Sequence, residues 1–287
     1  MSGGTLARVQ ELGGKKMAIV VSNRRLVTKS LPILKTAEYS AVSKIVEDIV
    51  IPDGVTYIEN GAFERFEALK TITIPDTVTS IGDCAFAGCK NLESVTLPSG
   101  IVSISPGLFS GCVSLKSITI PDGLILIANE AFLGCKNLKS ITIPDSVTHI
   151  GNRAFDGCKN LESVTLPDNM ENMGDNAFSR TGLKTIEIPN MEKLPHGAFS
   201  GCENLAKVSF KNLDEIGNTA FAGCTSLETI TIPDTVARIG DYAFMCCKNL
   251  KSITIPGTVT SIGVYILSEC SNIQSVTIPE GCPDLGI

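Results

Sequence analysis

A phrase of 23 residues recurs through this chain almost unchanged. Residues 141–145 read Ile-Thr-Ile-Pro-Asp, and Ile-Gly, Ala-Phe and Gly-Cys-Lys-Asn-Leu follow at fixed distances; the same phrase begins at residue 72. Self-similarity at a fixed period indicates a solenoid, in which each unit contacts only its neighbours and stacking builds the core. The sequence therefore predicts about ten stacked coils rather than separate compact domains.

One repeat, residues 141–163, indicates the local structure of a coil. The alternation at 141–143 predicts a short half-buried strand, and Pro144 ends it. An Asn or Asp follows the Ile-Gly position in seven repeats, where it favours the N-cap of a one-turn helix, and Gly157 suits a left-handed exit from that turn. The seven residues are Asn60, Asp83, Asn129, Asn152, Asp175, Asn218 and Asp241.

This pattern predicts an α/β solenoid with short parallel strands on one side and one-turn helices on the other. Because helical turns are wider than strands, we expect a horseshoe with the strands on the concave face and the helices on the convex face. A phenylalanine occupies one repeat position nine times, and Leu267 takes the tenth place. Such a column predicts aromatic core packing rather than a cofactor site. The nine are Phe63, Phe86, Phe109, Phe132, Phe155, Phe178, Phe199, Phe221 and Phe244.

Eight of the eleven cysteines also share one repeat position. Stacked coils would place them about 4.8 Å apart, but parallel side chains have the wrong Cβ directions for disulfides. We predict a column of buried thiols; a metal ladder is disfavoured because the chain has no Cys-x-x-Cys pair and only two histidines. Cys84, Cys246 and Cys282 lie outside the column and are candidates for reactive thiols. The column is Cys89, Cys112, Cys135, Cys158, Cys202, Cys224, Cys247 and Cys270.

Composition excludes several classes of protein. The net charge of −6 argues against a nucleic-acid surface, which needs clustered Lys and Arg. No apolar run approaches the length of a membrane span, so we expect no membrane insertion. Residues 1–16 contain no apolar segment of a secretory signal. As written, the chain carries no visible signal peptide or anchor, which would leave it in the cytoplasm.

The repeat Leu-x-x-Ile-x-Ile-Pro-x-x-Val-x-x-Ile-Gly-x-x-Ala-Phe-x-x-Cys, over residues 49–287, resembles the Treponema pallidum-type leucine-rich repeats of the BspA-like family. The resemblance implies a right-handed leucine-rich-repeat horseshoe. It also implies a surface or secreted protein that binds host proteins or other cells, because members resemble surface proteins of bacteria and protozoa. The family has no shared catalytic residues to transfer.

The two ends depart from the repeat. Residues 1–48 are predicted to form an N-terminal cap over the first coil, with a strand at 17–21 and a helix from about 31 to 47. Near the other end, residues 276–278 are predicted to form a strand with an open edge. An uncovered edge favours pairing with a second copy, so self-association is one hypothesis.

Polar side chains of the strands should form two columns on the concave face. A hydroxyl-lined surface could bind a protein or a glycan; alternatively, Ser and Thr simply suit an exposed strand. The first column is Ser94, Ser117, Ser140, Ser163, Thr185, Lys207, Thr229 and Ser252. The second is Thr96, Thr119, Thr142, Thr165, Glu187, Ser209, Thr231 and Thr254.

Repeats six to eight break the pattern. They have 22 residues each, the Gly-Cys pair becomes Arg180-Thr181, and Lys211 replaces a strand-ending Pro. This indicates either sequence drift with a repacked core or a partner-specific patch on a uniform scaffold. The predicted patch is Lys184, Thr185, Glu187, Lys207 and Ser209, with Thr142 and Thr165 beside it on the hydroxyl columns.

Other chemistries are weakly supported. An acidic column follows the strands, and calcium could relieve its repulsion, although Asp after Pro is already explained by turn formation. His149 and His196 lie in different repeats and no nucleophile motif flanks either. The Gly13–Lys16 run lacks phosphate-loop spacing. The acidic column is Asp53, Asp76, Asp122, Asp145, Asp168 and Asp234.

The sequence therefore predicts a non-catalytic module with no cofactor. Its most favoured partner is a protein bound on the strand face. The alternatives are a glycan-binding adhesin and a self-assembling structural unit.

Overall fold

The computed structural model describes the backbone of residues 6–12, 15–22, 25–26, 43–51 and 53–278, and the side chains of residues 43–51 and 53–278. From residue 48 onward the chain winds through about ten coils. Each coil contains a first strand, a second, shorter strand and a turn segment. Parallel pairing between like strands of neighbouring coils confirms the predicted solenoid.

The first strands define what we call the first strand face. In the register of this face, Ser117 lies opposite Ser94 and Thr119 opposite Thr96. Like residues therefore stack on like residues, as the repeat predicts. The strands are β4 (Asp48–Val50), β6 (Thr71–Thr73), β8 (Ser94–Thr96), β10 (Ser117–Thr119), β12 (Ser140–Thr142), β14 (Ser163–Thr165), β16 (Thr185–Ile188), β18 (Lys207–Phe210), β20 (Thr229–Thr231), β22 (Ser252–Thr254) and β24 (Ser275–Thr277).

A second row of parallel strands follows, which the sequence analysis missed. Most of these strands span only two residues, which leaves too little alternation to recognise in the sequence. These strands are β5 (Tyr57–Ile58), β7 (Ser80–Ile81), β9 (Ser103–Ile104), β11 (Leu126–Ile127), β13 (His149–Ile150), β15 (Asn172–Met173), β17 (Met191–Leu194), β19 (Leu213–Ile216), β21 (Arg238–Ile239) and β23 (Ser261–Ile262).

The third side of each coil, which we call the turn face, is not helical. The described residues contain no helix, so the predicted one-turn helices are wrong. Arg153 and Gly157 both have left-handed φ, +54° and +76°, which an α-helix does not tolerate. The Phe155 N–H donates to the Ala177 carbonyl of the next coil at 2.8 Å, whereas the Ala154 N–H donates to Gly151 of its own coil. A curved stack was expected because helical turns are wider than strands. Since the described turn face contains no helix, that argument for curvature does not apply.

The phenylalanine column is the core, as predicted. Consecutive rings from Phe63 to Phe244 stack with centroids 5.0–5.7 Å apart and interplanar angles of at most 13°. All nine rings are fully buried, and Leu267 is buried in the tenth place. Aromatic rings of this size supply a large share of the apolar burial in a core.

The cysteine column is buried and free of disulfides, which confirms that prediction. Each thiol lies beside the carbonyl of the phenylalanine in the preceding coil; Cys135 Sγ, for example, is 3.1 Å from the Phe109 oxygen. Burial raises the pKa of Cys89 to about 12 and that of Cys202 to about 11. Outside the column, burial and the Glu269 carboxylate also raise the pKa of Cys246, which disfavours its thiolate. The third candidate, Cys282, lies outside the described residues.

Before the first coil, β1 (Leu6–Leu12) and β2 (Lys15–Ser22) form an antiparallel hairpin. The predicted strand at 17–21 lies within β2. The short β3 (Arg25–Leu26) pairs with β2 and, in parallel, with β5, so the second row of strands continues into this segment.

The predicted helix at 31–47 falls mainly outside the described residues, and residues 43–45 form a turn. The capping role of residues 1–48 stays a prediction. The residues that the structure describes include no candidate membrane-spanning helix.

Candidate binding surface on the first strand face

The side chains of the first strands alternate in and out of the core. In β12 the middle Ile141 is buried, while Ser140 and Thr142 are exposed. β14 repeats the arrangement with exposed Ser163 and Thr165. The two predicted columns therefore lie side by side on the outer surface, and their hydroxyls are available to a partner.

The irregular coils place charges into these columns. Thr185 lies opposite Lys207 and Glu187 opposite Ser209 in the β16–β18 register, and all four are exposed. Lys184 lies just before β16 and its Nζ is 2.5 Å from Glu162 Oε2. The structure thus brings the five predicted patch residues to one surface, with Lys184 outside the strand ladder.

A cleft of about 260 Å³ opens in this surface. Its walls include Thr165, Thr185 and Glu187, which were predicted to belong to the binding patch. They also include Asp168, predicted only as a turn residue, and Lys211, which the sequence showed only as a replacement for Pro. The remaining predicted residues do not line it.

Lys211 connects the two carboxylates of the cleft. Its ammonium contacts the Asp168 carboxylate two coils away and lies 3.7 Å from Glu187 Oε1. The hydrogen bond to Asp168 raises the pKa of Lys211. Its backbone N–H donates to the Ile188 carbonyl at 2.9 Å, a bond that the usual Pro cannot make. Because Lys211 replaces this Pro, β16 and β18 extend to four residues each. Lys211 then follows β18 directly and lines the cleft.

A row of ion pairs lies beside the first strand face and was not predicted from the sequence. The signal was present, since acidic and basic residues occupy the same position in adjacent repeats. Exposed pairs of this kind are screened by solvent and contribute little to stability, so their main effect is to fix the charge pattern at the border of the face. Their N–O distances are 2.5–2.8 Å: Glu47–Lys70, Glu93–Lys116, Glu162–Lys184 and Glu228–Lys251.

The other candidate chemistries do not come together. Among the residues described, no group of three His, Cys, Asp or Glu could hold a metal ion. The two imidazoles have separate neighbours: His149 lies 2.7 Å from Thr148 Oγ1 and 3.1 Å from Asn172 Nδ2, whereas His196 is near Thr219.

The last first-row strand, β24, pairs with β22 on one side. Within the described part of the chain, no strand pairs with its other side. Ile278 follows it and is exposed. Self-association through this edge stays a prediction.

A stack of short parallel strands with an in-register core defines a leucine-rich-repeat type of β-solenoid. A family model described as the BspA type leucine rich repeat region, with six copies, matches residues 37–142, 125–217 and 192–286. The chain belongs to this family.

The chain is also similar to solved structures. A leucine-rich-repeat protein of T. pallidum is 30% identical with a TM-score of 0.50, over 64% of this chain and 78% of that one. A leucine-rich cell surface protein from Faecalibacterium prausnitzii A2-165 is 29% identical over 81% and 79% of the two chains, with a TM-score of 0.47. A leucine-rich-repeat protein from Bacteroides ovatus is 25% identical over 96% and 93%, with a TM-score of 0.41. No curated protein sequence matches the chain.

Proposed function

We propose that this protein is a non-catalytic binding module that holds a partner protein against its first strand face. The observation that carries the proposal is the cleft at Asp168, Glu187 and Lys211, where charged groups interrupt the hydroxyl columns of the first strand face. Charged groups at a defined position supply specificity, while the surrounding hydroxyls provide many weaker contacts. Membership of a leucine-rich-repeat family supports an interaction role.

The patch has an exposed cation that is suited to a partner. Lys207 is exposed and makes no ion pair with any described residue, whereas Lys211 is committed to two carboxylates. An acidic group of the partner would meet Lys207 without having to displace an existing pair. Glu187, on the neighbouring coil, carries the opposite charge and lies 3.7 Å from the Lys211 ammonium.

The test compares the triple variant K184A/E187A/K207A with a matched control, S94A/T96A/S117A, on the same face in regular coils. Crosslinking and affinity capture identify a partner of the wild-type protein, and titration of that purified partner gives the affinity. We expect at least tenfold weaker binding by the patch variant, normal binding by the control and unchanged thermal unfolding for both. Equal affinity in all three proteins would contradict the proposed site.

A glycan is the alternative occupant of the same surface, because hydroxyl rows can hydrogen-bond sugars. A glycan array probed with the wild-type protein and the patch variant separates the two. Selective glycan binding that the patch variant loses would replace the protein partner in the proposal.

Self-assembly is the second candidate function, and the open side of β24 favours it. Sedimentation over a hundredfold concentration range tests it. A concentration-dependent dimer that Ile278→Lys abolishes would support assembly, whereas a monomer throughout would oppose it.

We also propose, from the family resemblance, that the module acts at the cell surface or after secretion. Protease treatment of intact cells should cleave surface-bound protein, and the culture medium should contain any secreted protein. Protein found only inside cells and fully protected from protease would contradict this location.

A further inference from the structure

A second surface feature lies on the turn face. It is a groove of about 570 Å³ with Arg153 and Arg180 at one end and Met245 at the other. Gly201 and Gly223 form part of its lining, where the missing side chains leave the backbone accessible. The groove is separate from the first strand face.

A buried carboxylate fixes the arginine end. Asp156 is only 2% exposed. It accepts hydrogen bonds from Arg180 Nε at 2.9 Å and Arg180 Nη2 at 2.7 Å, and from Arg153 Nε at 3.2 Å. Bidentate pairing of this kind holds the Arg180 guanidinium in one orientation. Arg153 is held by its single bonds to Asp156 and Glu130, so both arginine heads are positioned before any ligand arrives.

This arrangement is not the one that packing alone favours. Arg180 occupies a position where the neighbouring coils have Gly157 and Gly201, and it adopts the left-handed φ of +55° that suits glycine. Burying a carboxylate also carries a desolvation cost that pairing only partly offsets. In the coil of residues 222 and 223, the positions that Asp156 and Arg180 occupy in their own coils hold Ala222 and Gly223, so the same turn also forms from two small neutral residues.

The arginines keep hydrogen-bonding capacity. Each guanidinium has five N–H donors. In the contacts among described residues, Arg180 uses two of them on Asp156, and Arg153 uses one on Asp156 and one on Glu130. The groove lining contains two arginines and a single carboxylate, while Glu130, which pairs with Arg153, is not part of the lining; the lining itself therefore carries an excess of positive charge on a chain of net charge −6.

We propose that this groove binds an acidic segment of a partner protein, with a carboxylate held by Arg153 and Arg180 and an apolar side chain against Met245. Guanidinium forks match the planar geometry of carboxylates. Because Asp156 has already ordered both side chains, little further entropy is lost on binding. The site is independent of the partner proposed for the first strand face.

The probe is a fluorescein-labelled peptide of three glutamates, two glycines and a leucine, and a peptide with three glutamines is its matched control. Fluorescence anisotropy with the full chain should show saturable binding of the glutamate peptide only. The affinity should fall as salt rises from 50 to 300 mM, since partly exposed charges are screened.

Arg180→Gly should weaken peptide binding at least tenfold. The double variant D156A/R180G places at these two positions the small residues found at 222 and 223; it should fold normally while losing binding, so it tests the proposal if the single variant is unstable. Arg65→Gly is the control, because Arg65 occupies the same repeat position with φ +60° in the first coil; it should bind like the wild type. Absence of wild-type binding at millimolar peptide in 50 mM salt, or equal binding by D156A/R180G, would overturn the proposal.

Discussion

The side-chain oxygen of Asn152 accepts a hydrogen bond from the backbone N–H of Asp175, 2.8 Å away in the next coil. The preceding pair is equivalent, with Asn129 accepting from the Asn152 N–H at 2.8 Å. These residue types were predicted to cap a helix within their own coil, and that prediction is wrong. Their side chains instead join successive coils in a ladder.

Asn152→Ala removes one rung of this ladder and leaves the Asp175 N–H without its acceptor. We expect the free energy of unfolding to fall by about 1 kcal/mol, since a lost hydrogen bond of this kind typically costs that much. Urea denaturation followed by circular dichroism measures it. Asn137→Ala is the control, because among the described residues its side chain bonds only the exposed Asn160 side chain; a loss equal to that of Asn152→Ala would contradict the ladder's role.

Gly174→Ala should be destabilising because the coils approach closely at this point. An added Cβ would lie 2.3 Å from the Asn152 backbone nitrogen and 2.5 Å from its Oδ1. We expect a loss of about 1–3 kcal/mol, the usual range for overpacking, measured by urea denaturation. Gly123→Ala has no atom within 4 Å of the added methyl and should be neutral or slightly stabilising. Equal stability of the two variants would refute the explanation.

Phe132→Ala should have the largest effect of the single changes. The ring is fully buried and stacks on Phe109 at 5.5 Å and on Phe155 at 5.2 Å. Deleting a buried phenylalanine costs about 3–5 kcal/mol, and the two neighbouring coils should open with it, since repeat units depend on their interfaces. Hydrogen exchange locates the opening. Val102→Ala, on an exposed side chain, should change stability by less than about 0.5 kcal/mol.

Alkaline pH should destabilise the protein through the thiol column. Burial raises the pKa of all eight column cysteines. Unfolded thiols release their protons above about pH 8.5, whereas the folded ones keep theirs. The folded state then binds more protons, so the free energy of unfolding falls as pH rises. The fall in the free energy of unfolding begins near pH 8.5 and continues towards the pKa values of the folded thiols, about 11 for Cys202 and about 12 for Cys89.

Urea denaturation between pH 7 and 10, with a reductant present, measures this dependence. Each thiol that opens in the transition contributes a slope of up to about 1.4 kcal/mol per pH unit. C112A/C135A should have a correspondingly shallower slope. An unfolding free energy that is flat from pH 8 to 10, or identical slopes in the two proteins, would show that the thiols do not titrate on unfolding.

The repeat was sufficient to predict much of the fold. The register, the Phe132 stack and the buried position of Cys135 all follow from one argument. When units of equal length stack, the same position recurs at the same place, and apolar positions must face the common interior. The exposed placement of Thr142 and Thr165 follows from the same alternation.

The candidate site was predicted only in part, because a residue's repeat position determines whether it faces outwards but not which distant residues it contacts. Thr185, Glu187 and Lys207 share repeat positions with the hydroxyl columns, so the sequence placed them on the surface. Lys211 and Asp168 are 43 residues apart and belong to non-adjacent repeats. Their contact depends on how far a flexible side chain reaches across the intervening coil, which the repeat pattern does not specify.

By itself, the sequence determined that the coils stack in register, which side chains form the core, and which strand residues face outwards, because a strict period leaves little choice in these matters. Only the tertiary structure decided that the turn face is not helical, that Asn152 bonds to the next coil, and that Asp156 joins Arg153 and Arg180. In each case the deciding partner lies in a neighbouring coil, so the local preference for a cap or a helix was outweighed by hydrogen bonds that exist only after stacking.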